Sequence, residues 1–290
     1  MENLIGIDIG GTYIKYGILD KSGNILKKDK KETPKKDIKD FIDFLTNIIK
    51  EYKKEENIIG VGISIPGFID SKKGIPLVCS NLRFIENIRI KDILEEKINL
   101  PVKLENDANC VALAEKFNGN AINCSDFVCI TVGTGIGGGI YINNKLVSGK
   151  TFKGGEFCYM ITREEKGYER ANENSSMMAL INMYKDYKGI NKEISGYDIF
   201  KEAEFDENVR YIIDKWYSNL ARLIYNISSV LNPEKVLIGG GISAREDLVS
   251  NLEIQLNKIE CWHFIEAKIE KCKHRNDSGL IGAAYNFLNS

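Results

Sequence analysis

Apolar positions along the chain fall into two kinds of run. Short runs rich in β-branched residues, LIGIDI from Leu4, YIKYGIL from Tyr13, IIGVGISI from Ile58, FVCITV from Phe127 and KVLIG from Lys235, have the length and composition of strands. Between them the period changes. Ile38, Phe41, Ile42, Leu45, Ile48, Ile49 and Tyr52 recur at three- and four-residue spacing behind Asp37, which predicts a helix over 37–53 with Asp37 as its N-cap. Val209, Ile212, Ile213, Trp216, Leu220, Leu223, Ile224 and Ile227 predict a second, longer helix stopping at Asn232-Pro233. LPVKLENDANCVALAEKF reads as a short strand entering a helix near Asn106 or Asp107, and DSGLIGAAYNFL as a further helix.

Strands alternating with helices predict an α/β fold. IGIDIGGTYIK near the start and CITVGTGIGGGIYIN at half-chain are both strand, glycine turn, strand, although they share little sequence beyond the turns. Two related domains facing across a cleft follow: a smaller one from residues 1–117 with 277–290, and a larger one from 118–276. A length of 290 residues suits two domains.

Composition narrows the function. Hydrophobic residues are 43% and charged residues 28%, the balance of a soluble globular protein. Forty basic against 41 acidic side chains give a formal charge of −1, so no overall field would gather nucleic acid or a membrane surface. Seven cysteines without a CxxC pair, several inside apolar runs, predict reduced thiols and a cytoplasmic location. No apolar run approaches the ~20 residues of a membrane span.

The glycine turns hold the candidate chemistry. GTGIGG at 133–138 satisfies GxGxxG, yet a returning strand follows it where the dinucleotide fingerprint opens a helix. NKLVSGKT fails as a Walker A motif because Asn144 stands at its first glycine. Either turn alone could be only a tight hairpin. Together, Gly10-Gly11-Thr12 and Gly133-Thr134-Gly135 can present main-chain N–H groups to a polyphosphate held between the domains. Asp8 would repel such an anion unless a divalent cation intervened, and Mg²⁺, which binds few carboxylates and keeps its waters, removes the conflict. Lys15 could add charge toward the phosphates.

DIGGTYIK, SIPGFID, LENDANCVALAE, TVGTGIGGGI and PEKVLIGGGIS together resemble the ROK family, in order and over nearly the whole chain. The resemblance implies the two-domain actin-like, hexokinase-type ATPase fold (ribonuclease H-like) and ATP-dependent phosphorylation of a hexose or hexosamine hydroxyl. By likeness of motif, Asp8, Gly10, Gly11, Thr12 and Lys15 form the first phosphate element. Thr131, Gly133, Thr134, Gly135 and Gly137 form the second, and Gly239, Gly240 and Gly241 the adenosine element. The same resemblance puts the sugar over Ser64, Pro66, Gly67, Asn81, Asn106 and Glu156, with Asp107 accepting the hydroxyl proton. Asp107 also has an argument of its own, since a carboxylate at a helix start is held ionised and phosphoryl transfer needs a proton acceptor.

The chain departs from the family pattern where many members have GEFGHM followed by a zinc-binding CxCGxxGC element. Here Cys158 replaces the glycine, Tyr159 stands at the histidine position and the cysteine cluster is absent, so no structural zinc is expected. Tyr159 stays among the expected sugar-binding residues beside Glu156, and Glu169 is the choice for a second sugar-binding glutamate. Cys261/His263 and Cys272/His274 form two C-x-H pairs in a Lys-rich segment read as strand, and they are not expected to bind zinc either. The zinc-less pattern resembles the N-acetylmannosamine kinases, which implies transfer to the 6-hydroxyl of N-acetylmannosamine in sialic acid catabolism, with glucokinases and β-glucoside kinases as alternatives. Sugar-sensing repressors of the family carry a helix-turn-helix module ahead of the first phosphate motif, and only seven residues precede Asp8. A small-molecule sugar partner and a homodimer are the remaining expectations.

Overall fold

A computed structural model of the chain describes residues 2–164 and 167–289. Strands β1 (Asn3–Ile9), β2 (Tyr13–Asp20) and β3 (Ile25–Glu32) form an antiparallel meander, and α1 (Ile38–Glu55) returns the chain to β4 (Ile58–Ile65). A hairpin of β5 (Phe68–Asp70) and β6 (Ile75–Val78) and then α2 (Ile90–Ile98) lead to β7 (Val102–Asn106), which runs straight into α3 (Asp107–Asn118). Strand order in this sheet is β3-β2-β1-β4-β7, with β4 parallel to β1 and β7 parallel to β4.

The second half repeats the design. A meander of β8 (Phe127–Val132), β9 (Ile136–Ile142) and β10 (Lys145–Leu146) comes first, followed by β11 (Ile161–Arg163) and β12 (Glu169–Arg170) as a separate two-stranded piece. Helices α4 (Ala171–Ser175), α5 (Met177–Lys188), α6 (Gly196–Glu202) and α7 (Glu207–Leu231) precede β13 (Lys235–Gly239). Then come α8 (Leu248–Leu256), α9 (Trp262–Ile265), β14 (Lys268–Lys271) and α10 (Ser278–Leu288). The order β10-β9-β8-β13-β14, with β13 parallel to β8 and β14 parallel to β13, matches the first sheet strand for strand.

Local signals explain the ends of these elements. Asp37 caps α1 by accepting the Asp40 N–H at 2.9 Å, and the buried face of α1 carries Phe41, Ile42, Leu45, Ile48, Ile49 and Tyr52. Asn232 closes α7 with φ +43, a conformation that Asn tolerates and that Pro233 then prevents from continuing. The run IIGVGISIPGFID is two strands, because Gly67 at φ +108 breaks it after Ile65. The Cys261–His274 segment also differs from the strand expected there. Cys261 sits at φ +68 ahead of α9, His263 lies on that helix, and Cys272 follows β14, so the two C-x-H pairs do not share a strand face.

Helix α10 packs on β1, β4, β7 and α3 rather than on the strand that precedes it. Glycines make that approach possible. A Cβ on Gly62 would lie 2.0 Å from the Ala283 carbonyl oxygen, one on Gly6 2.7 Å from that of Leu280, and one on Gly282 1.8 Å from that of Cys110 on α3. A side chain on Gly6 or Gly62 would have to push the helix off the sheet, and one on Gly282 would push it off α3.

Candidate active site

The candidate residues sit at strand ends and glycine turns of both halves. On β1, Asp8 is register partner of Lys15 on β2 and of Ser64 on β4. Lys15 Nζ donates to Asp8 Oδ2 at 3.1 Å and to the Asn276 carbonyl at 3.0 Å, and Ser64 Oγ donates to Asp8 Oδ1 at 2.9 Å. Gly279, at the N-terminus of α10, sits against the same carboxylate, where a Cβ would come within 2.3 Å. The charge in an apolar strand is thus balanced by a lysine two strand positions past the turn. The carboxylate still has lone pairs free and some exposure, and one hard oxygen donor of this kind fits a Mg²⁺ bound through water.

The first turn is closed by the Gly10 N–H bonding the Tyr13 carbonyl at 2.9 Å, and the second by the Gly133 N–H bonding the Gly135 carbonyl at 3.0 Å. An added Cβ would meet nothing within 4 Å at Gly133 or at Gly241, so both faces are open. Gly240, at φ +82, is a different case. Its Cβ would lie 2.4 Å from the Val132 carbonyl oxygen, so only glycine lets β13 turn there.

At the β7–α3 junction Asn106 is the N-cap, its Oδ1 accepting the Asn109 N–H at 2.9 Å. Asn106 Nδ2 donates to the Gly67 carbonyl at 2.8 Å and to Asp107 Oδ1 at 3.0 Å, and Asp107 Oδ1 also accepts the Ala108 N–H at 2.9 Å. Asp107 Oδ2 has no protein partner among the described residues. Behind the pair, buried Glu105 accepts the Asn106 N–H at 2.8 Å and Asn109 Nδ2 at 3.0 Å. Asp107 is open to the cleft on one edge, yet protein crowds it on the others. That desolvation, with repulsion from Asp8 and Glu156, pushes its carboxyl up to about 6. Burial also raises Glu156, whose carboxylate accepts a hydrogen bond from the Cys158 thiol at 3.5 Å.

Two cavities flank the second turn. One, of 330 Å³, has Asn106, Asp107, Glu156 and Gly67 in its walls and Thr131, Gly135 and Gly137 along one side. The other, of 560 Å³, is mainly apolar, between Val132, Gly133 and Thr134, the Gly241–Ala244 helical turn, and Tyr197 and Phe200 of α6. Gly133 and Thr134 therefore face one cavity while Gly135 and Gly137 face the other.

Not every expected residue reaches a cavity. Ser64 is fully buried on Asp8, Pro66 does not line the smaller cavity, and Asn81 stands beside the first turn, 3.4 Å from where a Gly11 Cβ would be. Glu169 pairs with Arg163 at 3.6 Å outside the cavity. Tyr159 does line it. Phe68, Val78 and Ser80 of the β5–β6 hairpin region line the same cavity without having been singled out, and Phe68 directly after SIPG was the available signal. In the larger cavity Tyr197, Phe200 and Arg245 were missed, as was Met177, which packs on the core and lines the cavity too.

The sequence profile of the ROK family matches residues 4–289. The chain belongs to the ROK family. A β-glucoside kinase of Listeria monocytogenes is 33% identical over 98% of this chain and 97% of that protein. Two solved ROK structures are also similar. One, from Listeria monocytogenes and described as a candidate N-acetylmannosamine kinase, has TM-score 0.90 and 32% identity and covers 99% of each chain. The other, a Streptomyces griseus glucokinase solved with glucose and AMPPNP, has TM-score 0.81 and 26% identity over 97% of this chain and 98% of that one. The duplicated sheet plan is thus the actin-like, hexokinase-type fold of this ROK protein. Among the described residues no three His, Cys, Asp or Glu side chains cluster to hold a metal, and no helix is long and apolar enough to cross a membrane.

Proposed function

We propose that this chain, an ATP-dependent hexose or hexosamine kinase of the ROK family, transfers the γ-phosphoryl group of ATP to the 6-hydroxyl of a β-glucoside. One observation carries the reading: the second glycine turn separates an apolar cavity of nucleoside size from a polar cavity with Asp107 in its wall. The adenosine would sit against Gly239, Gly240 and Gly241, with its phosphates running along Gly133, Thr134, Gly10, Gly11 and Thr12. Lys15 would lie close to the terminal phosphate. Gly67, Asn106 and Glu156 would orient the sugar, and Asp107 would accept the proton of the attacking hydroxyl as the P–O bond to ADP breaks. Bound Mg²⁺ would neutralise the phosphates, held by Asp8 through water. We assign residues 1–117 and 277–290 to one lobe and 118–276 to the other.

The β-glucoside is preferred because the Listeria β-glucoside kinase is similar over almost its full length. N-acetylmannosamine is the second reading, supported by the zinc-less pattern and by the Listeria structure described as a candidate kinase for that sugar. A coupled ADP-release assay over cellobiose, glucose, mannose, N-acetylglucosamine and N-acetylmannosamine tests both. Cellobiose is expected to give the highest kcat/KM, and a higher value for N-acetylmannosamine overturns the first reading in favour of the second.

A further inference from the structure

We propose that Phe68 and Tyr159 form a second-ring subsite at the mouth of the sugar cavity, where they hold the β-linked group that the transferred phosphoryl never touches. This rests on the β-glucoside reading above. Phe68 opens the β5–β6 hairpin of the first half, and Tyr159 ends the Phe157–Tyr159 helical turn of the second. Their ring centroids are 6.5 Å apart at a tilt of 49°, so the rings make a V-shaped shelf with one wall from each half of the fold. Both residues line the cavity that holds Asn106, Asp107 and Glu156, which makes the shelf continuous with the polar floor.

The chemistry of the shelf is unlike that of the floor. Tyr159 is 57% exposed and Val78, on the same rim, 43%, apolar surface that packing within the chain does not use. Lys153 Nζ lies 5.0 Å from the Phe68 ring centroid, a cation–π contact that leaves its N–H groups near the shelf as hydrogen-bond donors. A pyranose with equatorial hydroxyls has an apolar C–H face and a polar edge, and an aromatic shelf with a cation beside it suits both. A β-1,4 link projects the second ring outward in line with the first. An α-link bends it away, so the shelf favours a β-linked partner.

The test measures kcat/KM for cellobiose, maltose and glucose with the wild type and with Phe68→Ala, Tyr159→Ala and Tyr159→Phe. The readout is the cellobiose-to-glucose ratio within one preparation, which cancels any loss of folded enzyme. The wild-type ratio is expected to exceed the maltose-to-glucose ratio, each alanine variant to lower it by about tenfold, and Tyr159→Phe, which keeps the ring face, to preserve it. Ratios that stay unchanged in both alanine variants overturn the subsite and leave the β-glucoside reading standing. A wild type that phosphorylates glucose or N-acetylmannosamine but no β-glucoside overturns both.

Discussion

The two five-stranded sheets share one plan and carry different chemistry at the same place. In β1 the second-to-last residue is Asp8, a carboxylate fixed by Lys15 and Ser64; in β8 it is Thr131, an uncharged hydroxyl beside Gly137. Both strands then enter a glycine turn. A duplicated scaffold can thus offer one strand end with a carboxylate and one without, and a polyphosphate with its cation needs both: a donor for the metal, and a turn whose own strand brings no charge against the anion as it approaches main-chain N–H groups.

The largest expected effect lies outside the turns and sets the scale. Asp107→Asn should lower kcat by about 10²- to 10⁴-fold while sugar binding, followed by tryptophan fluorescence or calorimetry, persists; near-normal turnover would rule out Asp107 as the base. Asp8→Asn and Thr131→Val test the two strand ends directly. The first should cost roughly 10²-fold in kcat/KM for ATP and raise the Mg²⁺ requirement, and the second should cost about tenfold with no change in Mg²⁺ dependence. Equal Mg²⁺ responses would erase the distinction between the strand ends.

The pH profile sharpens it further. With Asp107 held near 6, kcat/KM should fall on the acid side around that pH, and Asp8→Asn or Glu156→Gln should move the limb downward by removing a neighbouring negative charge. Stability follows the same group with its own sign. The folded pKa lies above the unfolded one, so the native state binds the proton more tightly, and the contribution of Asp107 is lost as pH rises from about 4 to about 6. Asp107→Asn should therefore melt higher than wild type at pH 7.5, as read by calorimetry.

Glycine substitutions separate the sheets by stability alone. Gly62→Ala should cost about 1–3 kcal/mol or more in urea unfolding, since α10 has no room to retreat, whereas Gly133→Ala should stay within about 0.5 kcal/mol. The smallest effect is expected at Arg245, whose guanidinium lies 3.9 Å from the Phe200 ring centroid in the wall of the larger cavity. Arg245→Ala should raise the KM for ATP about two- to fivefold, measured at saturating sugar.

Much of this was legible in the chain because the decisive signals are local. Asp37 and Asn106 cap helices within three residues of themselves, and the two glycine turns are each bounded by their own strands. The partner of Asp8 was also within reach, since Lys15 is its cross-strand neighbour in a seven-residue hairpin register. What could not be read depends on distant pieces coming together. Phe68 and Tyr159 are 91 residues apart and look like ordinary aromatics until the halves close on one another. Tyr197 and Phe200 belong to no motif, and their place beside Gly241 follows from how α6 packs. Glu169 had no fixed spacing to guide its placement, and its pairing with Arg163 comes from the β11–β12 hairpin, which no periodicity announced.

The docking of α10 onto β1 and β4 has a consequence for how the protein is made. A ribosome delivers residues 3–65 long before it delivers residues 278–288, so the glycine-lined face of the first sheet waits bare for about 210 residues of further translation. A nascent chain stalled before Ser278 should expose that face to chaperones and proteases, and protection of the N-terminal strands should switch on only once the last helix has left the exit tunnel.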